Sequence, residues 1–145
     1  MITIREITAD ETHVLRQQVL RPNQRPEDQV YQNDDAPDAL HAGAFDADKL
    51  IGIATVFREP LPGNADPRAW RLRGMAVSPE KQKHGIGRRL IEFCVAHIRA
   101  HDGNVLWCKG RTSARAFYES LGFHATGAEF DVPTSGPHFI FWREC

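Results

Sequence analysis

The residues best suited to chemistry lie in one stretch, Met75-Ala76-Val77-Ser78-Pro79-Glu80-Lys81-Gln82-Lys83-His84-Gly85-Ile86-Gly87-Arg88-Arg89-Leu90. A strand-like run ends, a polar loop turns, and two glycines open an amphipathic segment. The first turn of a helix leaves backbone N–H groups without intrahelical partners, and the helix dipole puts partial positive charge there. A phosphate or pyrophosphate fits that end. Gly85 and Gly87 lack the side chains that would hold a ligand off the backbone. Lys81, Lys83, His84, Arg88 and Arg89 add local positive charge. Taken alone, a G-x-G at a helix start more often serves close packing, and a basic cluster is more often a solvated helix face. The nucleoside-triphosphate pattern G-x-x-x-x-G-K-[ST] is absent, and Leu90 stands where G-x-G-x-x-G needs its third glycine.

A second stretch, Ala116-Phe117-Tyr118-x-x-x-Gly122-Phe123, places a phenol on a helix; alone, such a tyrosine is more often a core aromatic. His97 and His101 are four apart, but Ile98 follows His97 where the H-E-x-x-H pattern has its acid, so no metal site is expected. Cys94, Cys108 and Cys145 show no C-x-x-C spacing and read as redox-silent thiols of a cytoplasmic protein. Arg71 and Arg73 share one strand parity and either reach a cleft or face solvent. Arg16 and Arg21 either line a substrate mouth that selects an acidic acceptor or belong to an ordinary polar helix face.

The elements that position these residues follow from periodicity. Met1 to Ile7 reads as a strand with Ile2, Ile4 and Ile7 on one face. A helix carrying Val14, Leu15, Val19 and Leu20 follows, capped by Asp10 or Thr12 and stopped by Pro22. Residues 22–38 form a long polar loop of the kind that is often functional. Leu40 to Phe45 and Leu50 to Phe57 predict a hairpin turning at Asp46-Ala47-Asp48-Lys49, and Glu59 to Pro67 a further loop. Trp70 to Val77 predicts a strand whose apolar parity flips after Gly74, which implies a β-bulge. Ile86 to Ile98 predicts a helix with Ile86, Leu90, Phe93, Cys94 and Ile98 on one stripe. Asn104 to Cys108 is a short strand. Ala114, Phe117, Tyr118 and Leu121 share a helix face ended by Gly122, and Ala128 to Val132 and His138 to Arg143 close the chain as strands. This order predicts an α/β (α+β) fold with a mixed, partly parallel sheet.

The string Gln82-x-x-Gly85-x-Gly87 after Met75-Ala76-Val77 resembles the acetyl-CoA pyrophosphate loop, Q/R-x-x-G-x-G/A, of the GNAT N-acetyltransferase superfamily. The Phe117-Tyr118-x-x-x-Gly122-Phe123 segment resembles the helix bearing that family's frequent general-acid tyrosine. The resemblance is specific from about Trp70 to Phe123, and in its context both bland readings are reversed. It implies a single N-acetyltransferase domain over 1–145, with a bulged strand splayed from its neighbour. It implies acetyl-CoA held by Met75, Ala76, Val77, Gln82, Lys83, His84, Gly85, Ile86, Gly87, Arg88, Ser113 and Phe117, and Tyr118 as the catalytic acid. The family's asparagine ahead of the tyrosine is absent; Arg111 and Ser113 occupy that stretch. The implied reaction is attack of an amine, expected on a small molecule, on the acetyl thioester in a ternary complex. Glu59, His41, His138 or water would take the amine's proton.

The chain has 145 residues and a formal net charge of −1. One core of this size buries roughly 70% of the unfolded surface without staples. No global basic field exists to recruit nucleic acid or an anionic membrane, and the N-terminus has no signal-peptide pattern. A homodimer remains open. Beside the small-molecule enzyme stand two alternatives: acetylation of a protein lysine or N-terminus, and a non-catalytic acyl-CoA sensor.

Overall fold

The computed structural model describes residues 1–145. Seven strands form one sheet in the order β1-β2-β3-β4-β5-β7-β6. They are β1 (Ile2–Ile7), β2 (Leu40–Asp46), β3 (Lys49–Arg58), β4 (Ala69–Val77), β5 (Val105–Arg111), β6 (His124–Val132) and β7 (Gly136–Glu144). Only β4 and β5 pair in parallel. They are joined by the crossover helix α2 (Ile86–Ala100), as a parallel pair requires. Helix α3 (Arg115–Ser120) links β5 to β6.

Helix α2 lays Ile86, Leu90, Ile91, Cys94, Val95 and Ile98 on one face of the sheet, against Ala42, Ala44, Ala54, Trp70 and Leu72. Each large aliphatic side chain buried here contributes roughly 1.5–3 kcal/mol relative to exposure. A second, smaller cluster forms on the other side from Ile7, Leu15, Phe45, Ile53 and Ala76. Ile7 therefore does not share the face of Ile2 and Ile4, which pack against the larger cluster. A strand's side chains alternate, so positions 4 and 7 must diverge.

The first helical stretch is composite. A 3₁₀ turn (Asp10–Thr12) leads into α1 (His13–Leu15), which runs on as a π-helical turn (Arg16–Leu20). Its start is not held by Asp10 or Thr12. Thr8 and Glu11 form a reciprocal capping box instead: Glu11 N–H donates to Thr8 Oγ1 at 3.2 Å, and Thr8 N–H to Glu11 Oε1 at 3.0 Å. At the other end Arg21 N–H reaches both Arg16 O and Gln17 O at 3.1 Å. This wide turn swings Leu20 and Arg21 over the sheet. Residues 22–38 contain a 3₁₀ turn (Pro26–Asp28) and otherwise run as a loop that sets Tyr31 against Gly74 of β4.

Candidate functional site

The site begins with a bulge. In β4, Trp70 and Leu72 pack toward α2, and so do Met75 and Val77, although their parity is opposite. Gly74, at φ 64°, absorbs the extra residue, and the register with β3 shifts between Ile53 and Thr55. The bend it introduces turns β4 away from β5. The parallel ladder spans only Ala69, Trp70 and Arg71 against Val105, Leu106 and Trp107. Beyond Arg71 the β5-facing edge of β4 has no strand partner, and a cleft of about 380 Å³ opens there.

At the far end of β4 the loop to α2 presents its backbone. Lys83 at φ 66° and Gly85 at φ 79° turn the chain, and Gly85 is the N-cap of α2. The N–H groups of six consecutive residues, Lys83 to Arg88, donate to no acceptor in the chain; Arg89 N–H, bonded to Gly85 O at 3.2 Å, is the first satisfied one. Lys83, His84 and Gly85 are exposed, whereas Ile86 and Gly87 are buried. A Cβ on Gly85 would meet nothing within 4 Å, so that glycine is required by its positive φ. A Cβ on Gly87 would lie 2.9 Å from Cζ of Phe117. Gly87 therefore also serves the contact between α2 and α3. Gln82 folds back on the strand, its Nε2 donating to Val77 O at 3.0 Å. The basic cluster is partly committed elsewhere. Lys81 pairs with Asp46 at 2.8 Å, and Arg88 donates to Ser120 O at 2.6 Å. The Lys81 partnership holds the Asp46 carboxyl below its usual range.

Met75, Phe117, Tyr118 and His138 line the cleft, with Cys108 at its floor. Ala76 is turned into the second core, and Ser113 is exposed and does not line the cleft. Tyr118 stacks on Phe141 with ring centroids 4.7 Å apart, and both Tyr118 and Cys108 line the cleft. Burial first, then the Cys108 thiol, push the phenol well above its usual pKa, so it stays protonated and able to donate. Burial likewise pushes Cys108 and Cys94 up to about 12. Helix α3 ends in a Schellman motif at Gly122, φ 86°. Phe123 N–H bonds Tyr118 O and Gly122 N–H bonds Glu119 O, each at 3.0 Å, which fixes the turn carrying Tyr118.

The three side chains considered as proton acceptors separate cleanly. Glu59 is engaged by Arg71 at 3.0 Å and lies outside the cleft. His41 is buried between Thr55 Oγ1 at 2.8 Å and Asp34 O at 3.0 Å. His138 alone lines the cleft. Its Nδ1 faces Gly136 O at 2.8 Å. A carbonyl only accepts, so in the neutral ring Nδ1 carries the proton and Nε2 is the free base. His97 and His101 stack on each other at 4.2 Å, and His101 Nδ1 meets His97 O, a packing arrangement beside Trp70.

Arg16 is not at any mouth. Its side chain is 0% exposed and forms a bidentate pair with Asp34, Nη1–Oδ2 at 2.7 Å and Nη2–Oδ1 at 2.9 Å. Nη1 also donates to Gln29 O and Nη2 to Thr55 Oγ1, while the guanidinium lies 3.8 Å over the Tyr31 ring. This network fastens the 22–38 loop to β3. One signal was present in the sequence: Arg16 falls between Thr12, Leu15 and Val19 on the apolar stripe. Arg21, Arg71 and Arg73 do line the cleft.

A family model of the acetyltransferase (GNAT) domain matches residues 5–133. YitI of Bacillus subtilis, an uncharacterized N-acetyltransferase, is 29% identical over 143 residues, covering 99% of this chain and 96% of its own. The ribosomal-protein-S18-alanine N-acetyltransferase of Escherichia coli superposes with a TM-score of 0.76 at 20% identity, over 99% of this chain and 94% of the other. An aminoglycoside 6'-N-acetyltransferase complexed with coenzyme A gives a TM-score of 0.70 at 17% identity, over 98% of this chain and 96% of the other. These two structures share the fold with the present chain.

Proposed function

The chain belongs to the GNAT family of acetyltransferases and is an N-acetyltransferase, and on that premise we propose that its acceptor is the amine of a small molecule, acetylated directly in a ternary complex with acetyl-CoA. We read 1–145 as one N-acetyltransferase domain, a reading supported by a single sheet that draws on residues from Ile2 to Glu144. The observation that carries the reading is the junction of two features. Six unsatisfied N–H groups at the start of α2 touch, through Gly87 and Phe117, a cleft holding both an acid and a base. The residues present fit the cofactor: the N–H groups from Lys83 to Arg88 suit its diphosphate, and the open edge of β4 around Met75 suits an extended amide chain laid as an added strand. The Val77 carbonyl is held by Gln82, which leaves Met75 and Ala76 to offer backbone groups to that chain.

Bound acetyl-CoA supplies an activated acetyl thioester. The protein handles the protons. An amine of pKa about 10.4 is neutral in roughly one molecule in 2,500 at pH 7, a handicap of about 4.6 kcal/mol. His138 Nε2 takes the proton the amine must lose. The Tyr118 hydroxyl, kept protonated, donates toward the departing sulfur, a lighter task because a thiol pKa is near 8.5. Tyr31 of the 22–38 loop lines the cleft beside them.

A cleft of about 380 Å³ lies within the range of small-molecule sites. Acetylation of a peptide N-terminus is the second reading. It draws on the 38% identity over 71 residues shared with the bS18-alanine N-acetyltransferase of Salmonella typhimurium. Thiol release from acetyl-CoA across free amines and short peptides separates the two. Turnover confined to peptides would remove the small-molecule reading, and acetyl-CoA binding with no turnover would make the chain a sensor. The free thiols of Cys94, Cys108 and Cys145 accord with a cytoplasmic setting, and no helix is long and apolar enough to cross a membrane.

A further inference from the structure

The cleft carries charge of one sign. Arg21, Arg71, Arg73, Lys109 and Arg111 line it, and no aspartate or glutamate does. The chain as a whole has a formal net charge of −1, so this concentration is local. Of the five, only Arg71 has a carboxylate partner, Glu59. Even there, Arg71 Nε is buried with no hydrogen-bond partner. Arg21, Arg73, Lys109 and Arg111 enter no ion pair within the chain.

Two of these arginines converge on one ring. The Arg73 guanidinium lies 4.3 Å from the Tyr31 centroid and that of Arg21 5.9 Å from it. Tyr31 also lines the cleft, and Arg16 occupies the same ring from within the protein at 3.8 Å. Burial, and then the like charges of Arg71, Arg21 and Arg16, draw the Arg73 guanidinium below its ordinary pKa. Arg21 and Arg73, gathered at that ring with no carboxylate partner of their own, leave planar donor forks unfilled. Such forks match carboxylate or phosphate oxygens. Their place separates them from the cofactor loop: Arg71 and Arg73 precede the Gly74 bulge, whereas the unsatisfied N–H groups follow the end of β4.

We propose that the acceptor is an amine that also carries an oxyanion, a carboxylate or a phosphate-type group, held by the Arg21 and Arg73 guanidinium groups over Tyr31 while its amine faces His138. This rests on the acetyl-transfer reading and narrows it. It excludes polyamines and other purely cationic acceptors, which the cleft repels. Arg21 and Arg73 are specificity residues: they set acceptor KM and leave the acetyl-CoA loop untouched.

The test uses matched amines: α-amino acids, the same compounds as α-carboxamides, and aminoalkylphosphonates. Thiol release is followed for wild type, Arg73→Gln and Arg21→Ala. Arg21 is exposed, so its variant leaves the fold intact even if Arg73→Gln does not. The oxyanion-bearing amines should exceed the carboxamides at least tenfold in kcat/KM. Each variant should shrink that preference to threefold or less by raising acceptor KM, with acetyl-CoA KM within twofold of wild type. The phosphonate arm reports which oxyanion is preferred. Carboxamides turned over as well as the acids, or a preference surviving in both variants, overturn the proposal while leaving acetyl transfer standing. If every amine is silent, calorimetry on CoA-saturated protein with succinate and succinamide decides. Equal binding overturns the proposal. Tighter succinate binding lost in Arg21→Ala upholds the oxyanion site, and the transfer reading alone fails.

Discussion

Replacing Asp34 by alanine should cost far more than a surface change, and the structure says why. The Arg16 and Asp34 side chains are 0% and 2% exposed, and both carboxylate oxygens are taken by the guanidinium. Asp34 Oδ2 also accepts the Tyr31 N–H at 3.0 Å. Removing the carboxylate leaves a buried cation with only Gln29 O and Thr55 Oγ1, and it orphans the Tyr31 N–H. Breaking one side of a buried pair typically costs about 3–5 kcal/mol. At about 2–4 °C per kcal/mol for a domain near this size, the melting temperature should fall by roughly 10 °C. Differential scanning calorimetry measures it. Arg16→Met combined with Asp34→Leu should lie closer to wild type than Asp34→Ala does, because no unpaired charge is left behind. The pH dependence carries a sign. Burial pushes the Asp34 carboxyl up, but hydrogen bonds from Arg16 and the Tyr31 N–H, with the charges of Arg16 and His41, outweigh it and hold the group below its usual range. The folded pKa is thus depressed, so its contribution is whole above the unfolded value of about 3.9 and is lost as pH falls through the folded one. The gap between wild type and Asp34→Ala should be flat from pH 5 to 8 and narrow in stronger acid. A fall of less than about 3 °C, or strict additivity in the double variant, would refute the uncompensated-charge argument.

Tyr118→Phe keeps the stacking on Phe141 and loses only the hydroxyl; kcat should drop about 10²-fold with acetyl-CoA affinity little changed, and an unaltered kcat removes the phenol from the reaction. Gly87→Val drives a side chain at Phe117, whose ring is 41% exposed and able to swing, so the fold should survive while calorimetric acetyl-CoA affinity falls at least tenfold. Gly85→Ala imposes a left-handed conformation on a residue with a Cβ, at about 1–2 kcal/mol, and a melting temperature equal to wild type would show that the loop relaxes. Iodoacetamide on native protein at pH 8 should add at most one adduct, at Cys145, because burial keeps Cys94 and Cys108 as thiols; mass spectrometry showing two or more would contradict that burial.

Much of this molecule was legible from local pattern. The parity flip across Gly74 announced the bulge because strand side chains alternate with a period of two, and a glycine at the break can take a positive φ. The Gly122-Phe123 ending announced the Schellman turn for the same local reason. The string from Gln82 to Gly87 announced unpartnered N–H groups, since any helix start has them. Local pattern failed where the outcome depends on partners remote in the chain. Arg16 resembled a surface cation until Asp34, Gln29 and Thr55 closed around it, 18, 13 and 39 residues away. Three candidate proton acceptors were equivalent on paper, and only packing separated them: Glu59 met Arg71, His41 met Thr55, and His138 alone came to line the cleft. The one-signed charge of the cleft was likewise invisible in a chain of net charge −1, because it arises when β4, β5 and the end of the first helical stretch are brought side by side. Periodicity and backbone chirality act over a few residues and can be read directly. Burial, pairing and electrostatic sign are sums over everything nearby, and what is nearby is settled only when the sheet has assembled.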